Sequence, residues 1–131
     1  MSDVRSFRDL QVWQKGMKLT AMIYQLSQLM PRDERFRLTD QMLRSAASVP
    51  ANIAEGHLRG TRRDYARFVP IARGSLGELE TYLILATDVG ILAAENTTEP
   101  LALAAELGRM LNGLRRRLEE PQQSRTTYPE T

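Results

Sequence analysis

Residues 48–80 read SVPANIAEGHLRGTRRDYARFVPIARGSLGELE. The apolar positions recur with a helical period, yet the stretch holds two prolines (Pro50, Pro70) and four glycines (Gly56, Gly60, Gly74, Gly77). Gly60 followed by Thr61 and Asp64 divides it. A glycine suits the left-handed residue that ends one helix, and Thr-x-x-Asp caps the start of the next. The stretch therefore predicts an antiparallel helical hairpin about Gly60, with Pro50 ten residues before the turn and Pro70 ten after it. Both prolines then lie about 15 Å from the turn. A proline inside a helix costs about 3 kcal/mol and bends its axis, so matched bends at one level are expected, with a break at Pro50 as the alternative.

Four helical segments are predicted. The first begins at the capping box formed by Ser6 and Asp9 and runs to about Met30, before Pro31. The second covers about Leu38 to Arg59, and the third about Arg62 to Val89, stopping at Gly90. The fourth starts near Thr98, with Pro100 in its first turn, and ends near Glu120. Residues 1–120 form one bundle domain on this reading, and 121–131 a polar, disordered tail. In segment three Tyr65, Phe68, Ala72, Ser75, Leu79, Tyr82 and Ala86 step by three and four. Leu103, Leu107, Met110, Leu111, Leu114 and Leu118 do the same in segment four. These are the seams of an all-α, up-down-up-down antiparallel four-helix bundle.

Segment one carries two apolar stripes, Leu10, Trp13, Met17, Ala21 and Tyr24 on one side and Val12, Leu19, Ile23, Leu26 and Met30 almost opposite. A single core needs an arc of roughly 100°. The excess predicts a homo-oligomer with Val12, Leu19, Ile23, Leu26 and Met30 at its interface. A deeply buried helix within one chain is the alternative.

The same hairpin geometry predicts a polar seam. Arg44, Ser48, Asn52 and Glu55 fall on segment two, Arg73 and Glu78 on segment three. Glu55 is expected to reach Arg63 or Arg67, and Arg44 to reach Glu78, fixing register across the helices. Gly56, Gly74 and Gly77 are expected where helix backbones approach closely.

LTDQMLRSAASVPANIAEG (38–56), YARFVPIARGSLGELETYLILA (65–86) and FRDLQVWQKGMKLTAMIY (7–24) together resemble the four-helix bundle family also described as 23S rRNA intervening-sequence protein, or S23 ribosomal protein. The likeness covers about residues 7–119. It implies a homopentameric bundle, encoded in some members within insertions of ribosomal RNA genes. It also implies kinship with the nucleic-acid-binding accessory protein of diversity-generating retroelements. His57 stands where that pattern leads one to expect an aromatic or other bulky residue. The resemblance supplies no catalytic residue.

The 131 residues include one histidine and no cysteine. That composition excludes a thiolate metal site, a cysteine nucleophile and the paired Glu-x-x-His motifs of di-iron bundles. No phosphate-loop or nucleophile-elbow motif occurs. A binding protein without enzymatic activity, metal or cofactor is expected. Lack of cysteine, of an apolar membrane run and of a signal-peptide pattern leads us to expect a cytoplasmic protein with no membrane partner.

Net charge is only +2, but sixteen of the eighteen basic residues are Arg. They cluster as Arg59, Arg62, Arg63 and Arg67 about the hairpin turn, and as Arg109, Arg115, Arg116 and Arg117 late in segment four. In an antiparallel bundle both clusters meet at one end, where guanidinium groups suit phosphate. RNA or DNA backbone is thus the expected partner. The alternative is an oligomeric scaffold that docks a protein partner and binds no nucleic acid.

Overall fold

The computed structural model describes residues 5–121, so the expected tail beyond Pro121 lies outside the described residues. Four helices follow one another: α1 (Gln11–Ser27), α2 (Leu38–Leu58), α3 (Arg62–Asp88) and α4 (Ala94–Glu119), with no strand among the described residues. They pack in a closed cycle, α1 on α2, α2 on α3, α3 on α4 and α4 on α1, and no diagonal pair comes into backbone contact. Rising residue numbers on each helix meet falling numbers on the next (Gly16 with Pro50 and Thr20 with Ala46, Gln41 with Tyr82 and Gly56 with Phe68, Arg62 with Arg117 and Arg73 with Gly108), so the four run up, down, up and down. No described helix is long and apolar enough to cross a membrane.

The caps follow local chemistry. Gly60 and Gly90 take φ of 84° and 81°, the left-handed region that a β-carbon disfavours, and end α2 and α3. The Thr61 hydroxyl accepts from the Asp64 amide at 3.1 Å and starts α3. Two expected boundaries shift. The Ser6–Asp9 capping box closes a 3-10 turn over Phe7–Asp9, and extended Leu10 separates it from α1. Helix α4 begins at Ala94, not Thr98, so Pro100 lies inside it. Thr97 and Thr98 each donate to the Ala94 carbonyl, at 3.1 and 3.0 Å, and help close that extra first turn.

Both hairpin prolines sit inside continuous helices, so Pro50 does not break α2. A proline lacks the N–H that would bond four residues back, which leaves the Ala46 carbonyl without its helical donor. Ala46 is buried. Helix α1 supplies the missing group: the Thr20 hydroxyl lies 3.0 Å from the Ala46 oxygen and 2.8 Å from its own Gly16 oxygen. Its single proton is shared between the two. One turn earlier on α1, Gly16 makes room for the proline ring, since a β-carbon there would sit 3.4 Å from Pro50 Cβ and Cδ.

The α2–α3 register is fixed by three level contacts. Tyr82 meets Gln41 at 3.5 Å, Ser48 meets Ser75 at 2.8 Å, and Gly56 abuts Phe68. In that register Pro50 is level with residues near Arg73, and Pro70 with residues near Ile53. The two prolines are therefore offset by about 4.5 Å along the axes rather than matched.

The core joins all four helices. Val12, Leu19 and Ile23 of α1 are at most 1% exposed, and Leu26 and Met30 are at most 9% exposed. This corrects the expected interface. Those five residues are the inward stripe of α1 and, for Met30, of the turn that follows it, packed with Met42, Val49, Leu107 and Leu111 in the core cluster. The outward stripe is the other one, with Met17 46% and Tyr24 57% exposed.

Glycines at two positions make opposite demands. A β-carbon on Gly56 would lie 2.6 Å from Phe68 Cβ, whereas one on Gly74 would meet nothing within 4 Å. We expect Gly56→Ala to destabilise the fold by about 1–3 kcal/mol through overpacking. Gly74→Ala is expected to stabilise it by about 0.5–1 kcal/mol through helix propensity. Urea unfolding of both variants checks the opposite signs.

Candidate nucleic-acid interface

The turn between α2 and α3 and the last turn of α4 meet at one end of the bundle. The Arg62 guanidinium donates to the backbone carbonyl of Arg117, in the last turn of α4, where that carbonyl otherwise accepts only a long bond from the Glu120 amide at 3.4 Å. A cation in that place also complements the negative end of the α4 dipole. Gly60, Thr61, Arg62, Arg63, Leu118 and Glu119 line a shallow depression at the junction.

The arginines there divide by what they already hold. Arg59 pairs with Glu55 at 3.0 Å and lies over the Phe68 ring, 5.1 Å from its centroid. Arg67 pairs with Asp64 at 3.3 Å, and Arg115 with Glu119 at 3.0 Å. All three are exposed i,i+3 or i,i+4 pairs, each worth only a few tenths of a kcal/mol, about 0.3–0.5. Arg63 and Arg116 are exposed and have no carboxylate within 4 Å among the described residues. Seven arginines (59, 62, 63, 67, 115, 116, 117) face four carboxylates (Glu55, Asp64, Glu119, Glu120), so the end carries a positive surplus.

Arg109 does not join them. It is eight residues from Arg117, about 12 Å along α4, and lies by the α1–α4 contact. There Lys15 bridges to Glu106 at 2.9 Å. The Lys15 hydrogen bond and charge hold the Glu106 carboxyl below its usual range, with Arg109 and Lys18 adding to the pull. His57 is half-buried, with its ring edge-on to Tyr65 at 5.6 Å. Burial keeps its imidazole below the ordinary value, and it belongs to the packing of the hairpin. No cluster of three or more metal-ligating side chains occurs among the described residues.

Comparison with known proteins fits this architecture. Residues 8–113 match the family described as 23S rRNA-intervening sequence protein. The chain belongs to that family. A crystal structure at 1.70 Å of a protein with unknown function from the S23 ribosomal protein family of Bacteroides thetaiotaomicron has the same fold. It aligns with a TM-score of 0.74 at 24% identity, covering 80% of this chain and 98% of that one. No curated protein matches the chain.

In this family member the polar seam is narrower than expected. Asn52 donates to the Ser48 carbonyl at 2.8 Å and to its hydroxyl at 2.9 Å, and Ser48 meets Ser75 at 2.8 Å. That chain of three, with the longer Tyr82–Gln41 contact nearer the far end, links α2 to α3. The expected cross-helix ion pairs are replaced by local ones: Arg44 goes to Asp40 at 3.1 Å, and Glu55 to Arg59. A partner on the same helix costs less side-chain entropy than one across a groove, so the nearer carboxylate wins. Glu78 is exposed. Arg73 turns the other way, toward α4. It lies against Gly108, where a β-carbon would be 3.4 Å from its guanidinium, and is 3.6 Å from Glu80. The hydrogen bond of Ser75, expected only as a seam residue, and the roles of Gly108 and Thr20 were not legible in the sequence. Each is a small residue whose spacing opposite Ser48, Arg73 or Pro50 appears only once the helix register is known.

Proposed function

We propose that the protein binds the phosphate backbone of nucleic acid at the end of the bundle where Arg62 joins α3 to the close of α4. The observation that carries this reading is the pair Arg63 and Arg116. Both are exposed and uncommitted to carboxylates, Arg63 at the edge of the depression between two helix ends and Arg116 on the last turns of α4 beside it. The neighbouring Arg59, Arg67 and Arg115 pairs are exposed and weak, so a phosphate exchanges for a carboxylate there at small cost. Contacts of this type position a strand without reading its sequence. The family description, an intervening sequence of 23S rRNA, makes RNA the first probe. The role is binding without catalysis, supported by the single, half-buried histidine and the absence of cysteine.

The affinity for a single-stranded RNA oligonucleotide is expected to fall steeply with salt. Replacing Arg63 and Arg116 together by Gln removes about two phosphate contacts, lowering the slope of log K against log salt by about 1.4. Arg109→Gln, remote from this end, leaves the slope nearly unchanged. Fluorescence anisotropy across a salt series measures all three. No binding at low salt, or an equal loss from Arg109→Gln, excludes the site.

A second feature favours self-association. Met17 and Tyr24 are exposed on one stripe of α1, and Ile71 and Leu85 are 50% and 45% exposed on one stripe of α3. Helices α1 and α3 stand on diagonal corners, so each copy offers two different apolar faces. Joining the α1 face of one copy to the α3 face of the next is a head-to-tail contact, which closes into a ring when the rotation permits. The pentamer implied by the family resemblance is such a ring. Tyr24→Glu and Leu85→Glu are each expected to yield monomers in sedimentation velocity. Wild-type protein sedimenting as a monomer rejects this reading.

A further inference from the structure

The 3-10 turn Phe7–Asp9 stands at the same end of the bundle as the arginine cluster. On the antiparallel pair α1 and α2, Gly16 faces Pro50 and Thr20 faces Ala46. Counting back along that register brings residues 7–9 to about the level of residues 57–59, and the turn packs against α2. Two side chains at this corner are left over by the fold. Leu58, the last residue of α2, is 68% exposed. Arg8 is exposed and has no carboxylate within 4 Å among the described residues, because the adjacent Asp9 carboxylate is turned to the amides of Arg5 and Ser6, at 3.0 and 3.2 Å. The Arg8 guanidinium lies instead by the Phe7 ring, 5.4 Å from its centroid. That ring is anchored: it packs on the core and stands edge-on to Trp13 at 5.3 Å.

Phosphate recognition calls for charge and donors, and neither an exposed leucine nor a ring behind a guanidinium improves it. A base calls for the opposite. Its flat face stacks on an arginine plane or on an apolar side chain, and a guanidinium braced on a fixed ring gives up less freedom when it is covered. The two kinds of group meet at one end of this bundle, arginines for the strand's phosphates and an Arg8–Leu58 corner for what hangs from them. A base offers an open face only in an unpaired strand, since a duplex covers each base above and below. Positive grooves combined with stacking platforms are the general means by which proteins hold single strands.

We propose that the Arg8–Leu58 corner stacks an unpaired base, so that the arginine end takes single-stranded nucleic acid in preference to duplex. The inference rests on phosphate binding at the arginine cluster and adds to it a ligand class and two contact residues. Phosphate contacts alone favour the duplex, whose charge is denser, so the order of the two affinities distinguishes a backbone-only surface from one that also holds bases.

The test is fluorescence anisotropy of the full chain, at one low salt concentration, with three probes: an RNA strand, the same strand annealed to its complement, and the same strand made abasic. The bare strand is expected to bind at least about fivefold tighter than either of the others. Arg8→Lys keeps the charge but loses the plane. Combined with Leu58→Ala, it lowers affinity for the strand about fivefold and leaves affinity for the duplex and the abasic strand unchanged. Both positions are exposed, so the variant folds, which its circular dichroism and melting temperature check. Arg63→Gln with Arg116→Gln weakens all three probes together. Duplex or abasic strand binding as tightly as the bare strand overturns the inference and leaves phosphate binding standing. A double variant at residues 8 and 58 that keeps the wild-type preference overturns it in the same way. Failure of all three probes to bind overturns it together with the phosphate site on which it rests.

Discussion

Pro50 meets Gly16 and Thr20 near the middle of the bundle, and the placement of α2 depends on that contact. The proline withdraws a donor from the buried Ala46 carbonyl and adds a ring to the surface of α2. Helix α1 answers both changes from one face. Gly16 leaves space for the ring at 3.4 Å, and Thr20, one turn on, donates to the orphaned oxygen at 3.0 Å. A shift of α1 by one residue along its axis would put a side chain against the ring and leave the carbonyl dry and unbonded. The register of α1 against α2 is thus set by a defect in α2, in the manner of a lock at a single level.

On its other side α2 is set against α3 by Gly56, where a β-carbon would collide with Phe68, and by the hydrogen-bonded chain from Asn52 through Ser48 to Ser75. Close approach on two sides makes α2 the element that carries register across the bundle. The consequence reaches the functional end. With α3 held in that register, Arg62 arrives at the final turn of α4 and satisfies the Arg117 carbonyl. The two arginine clusters, far apart in sequence, become one surface. At the far end the same arrangement leaves α2 starting uncapped over a cavity. The ends of the molecule therefore differ in kind: one gathers guanidinium groups about a shallow depression, the other is an open cleft beside an uncapped helix start.

Much of this was legible in the residues. The four helices, the left-handed glycines at 60 and 90 and the meeting of the arginine clusters all follow from period, caps and antiparallel geometry. The faces of α1 did not. Two apolar stripes of similar breadth give an angle but no neighbour, so periodicity alone does not say which stripe enters the core. Chemistry held a clue, because Val12, Leu19, Ile23 and Leu26 are purely aliphatic, whereas Trp13, Met17 and Tyr24 belong to types that tolerate half-exposure and favour interfaces. Ion pairs failed for a different reason. Arg44 and Glu55 each have an oppositely charged residue four places away, and proximity along a helix outweighs an imagined reach across a groove. Thr20 was invisible because a mid-helix threonine ordinarily bonds only its own preceding turn. Its second acceptor exists because of Pro50 on another helix.

The claim that Thr20 stands in for the amide missing at Pro50 is tested most directly by a double-mutant cycle in urea unfolding. Thr20→Val in the native background leaves the Ala46 carbonyl unsatisfied, at a cost of about 1–3 kcal/mol. With Pro50→Ala the helix regains its own donor to that carbonyl, so the same threonine substitution loses most of its effect, and the cycle gives a coupling of about 1 kcal/mol or more. Equal losses from Thr20→Val in both backgrounds, with coupling near zero, would contradict the account.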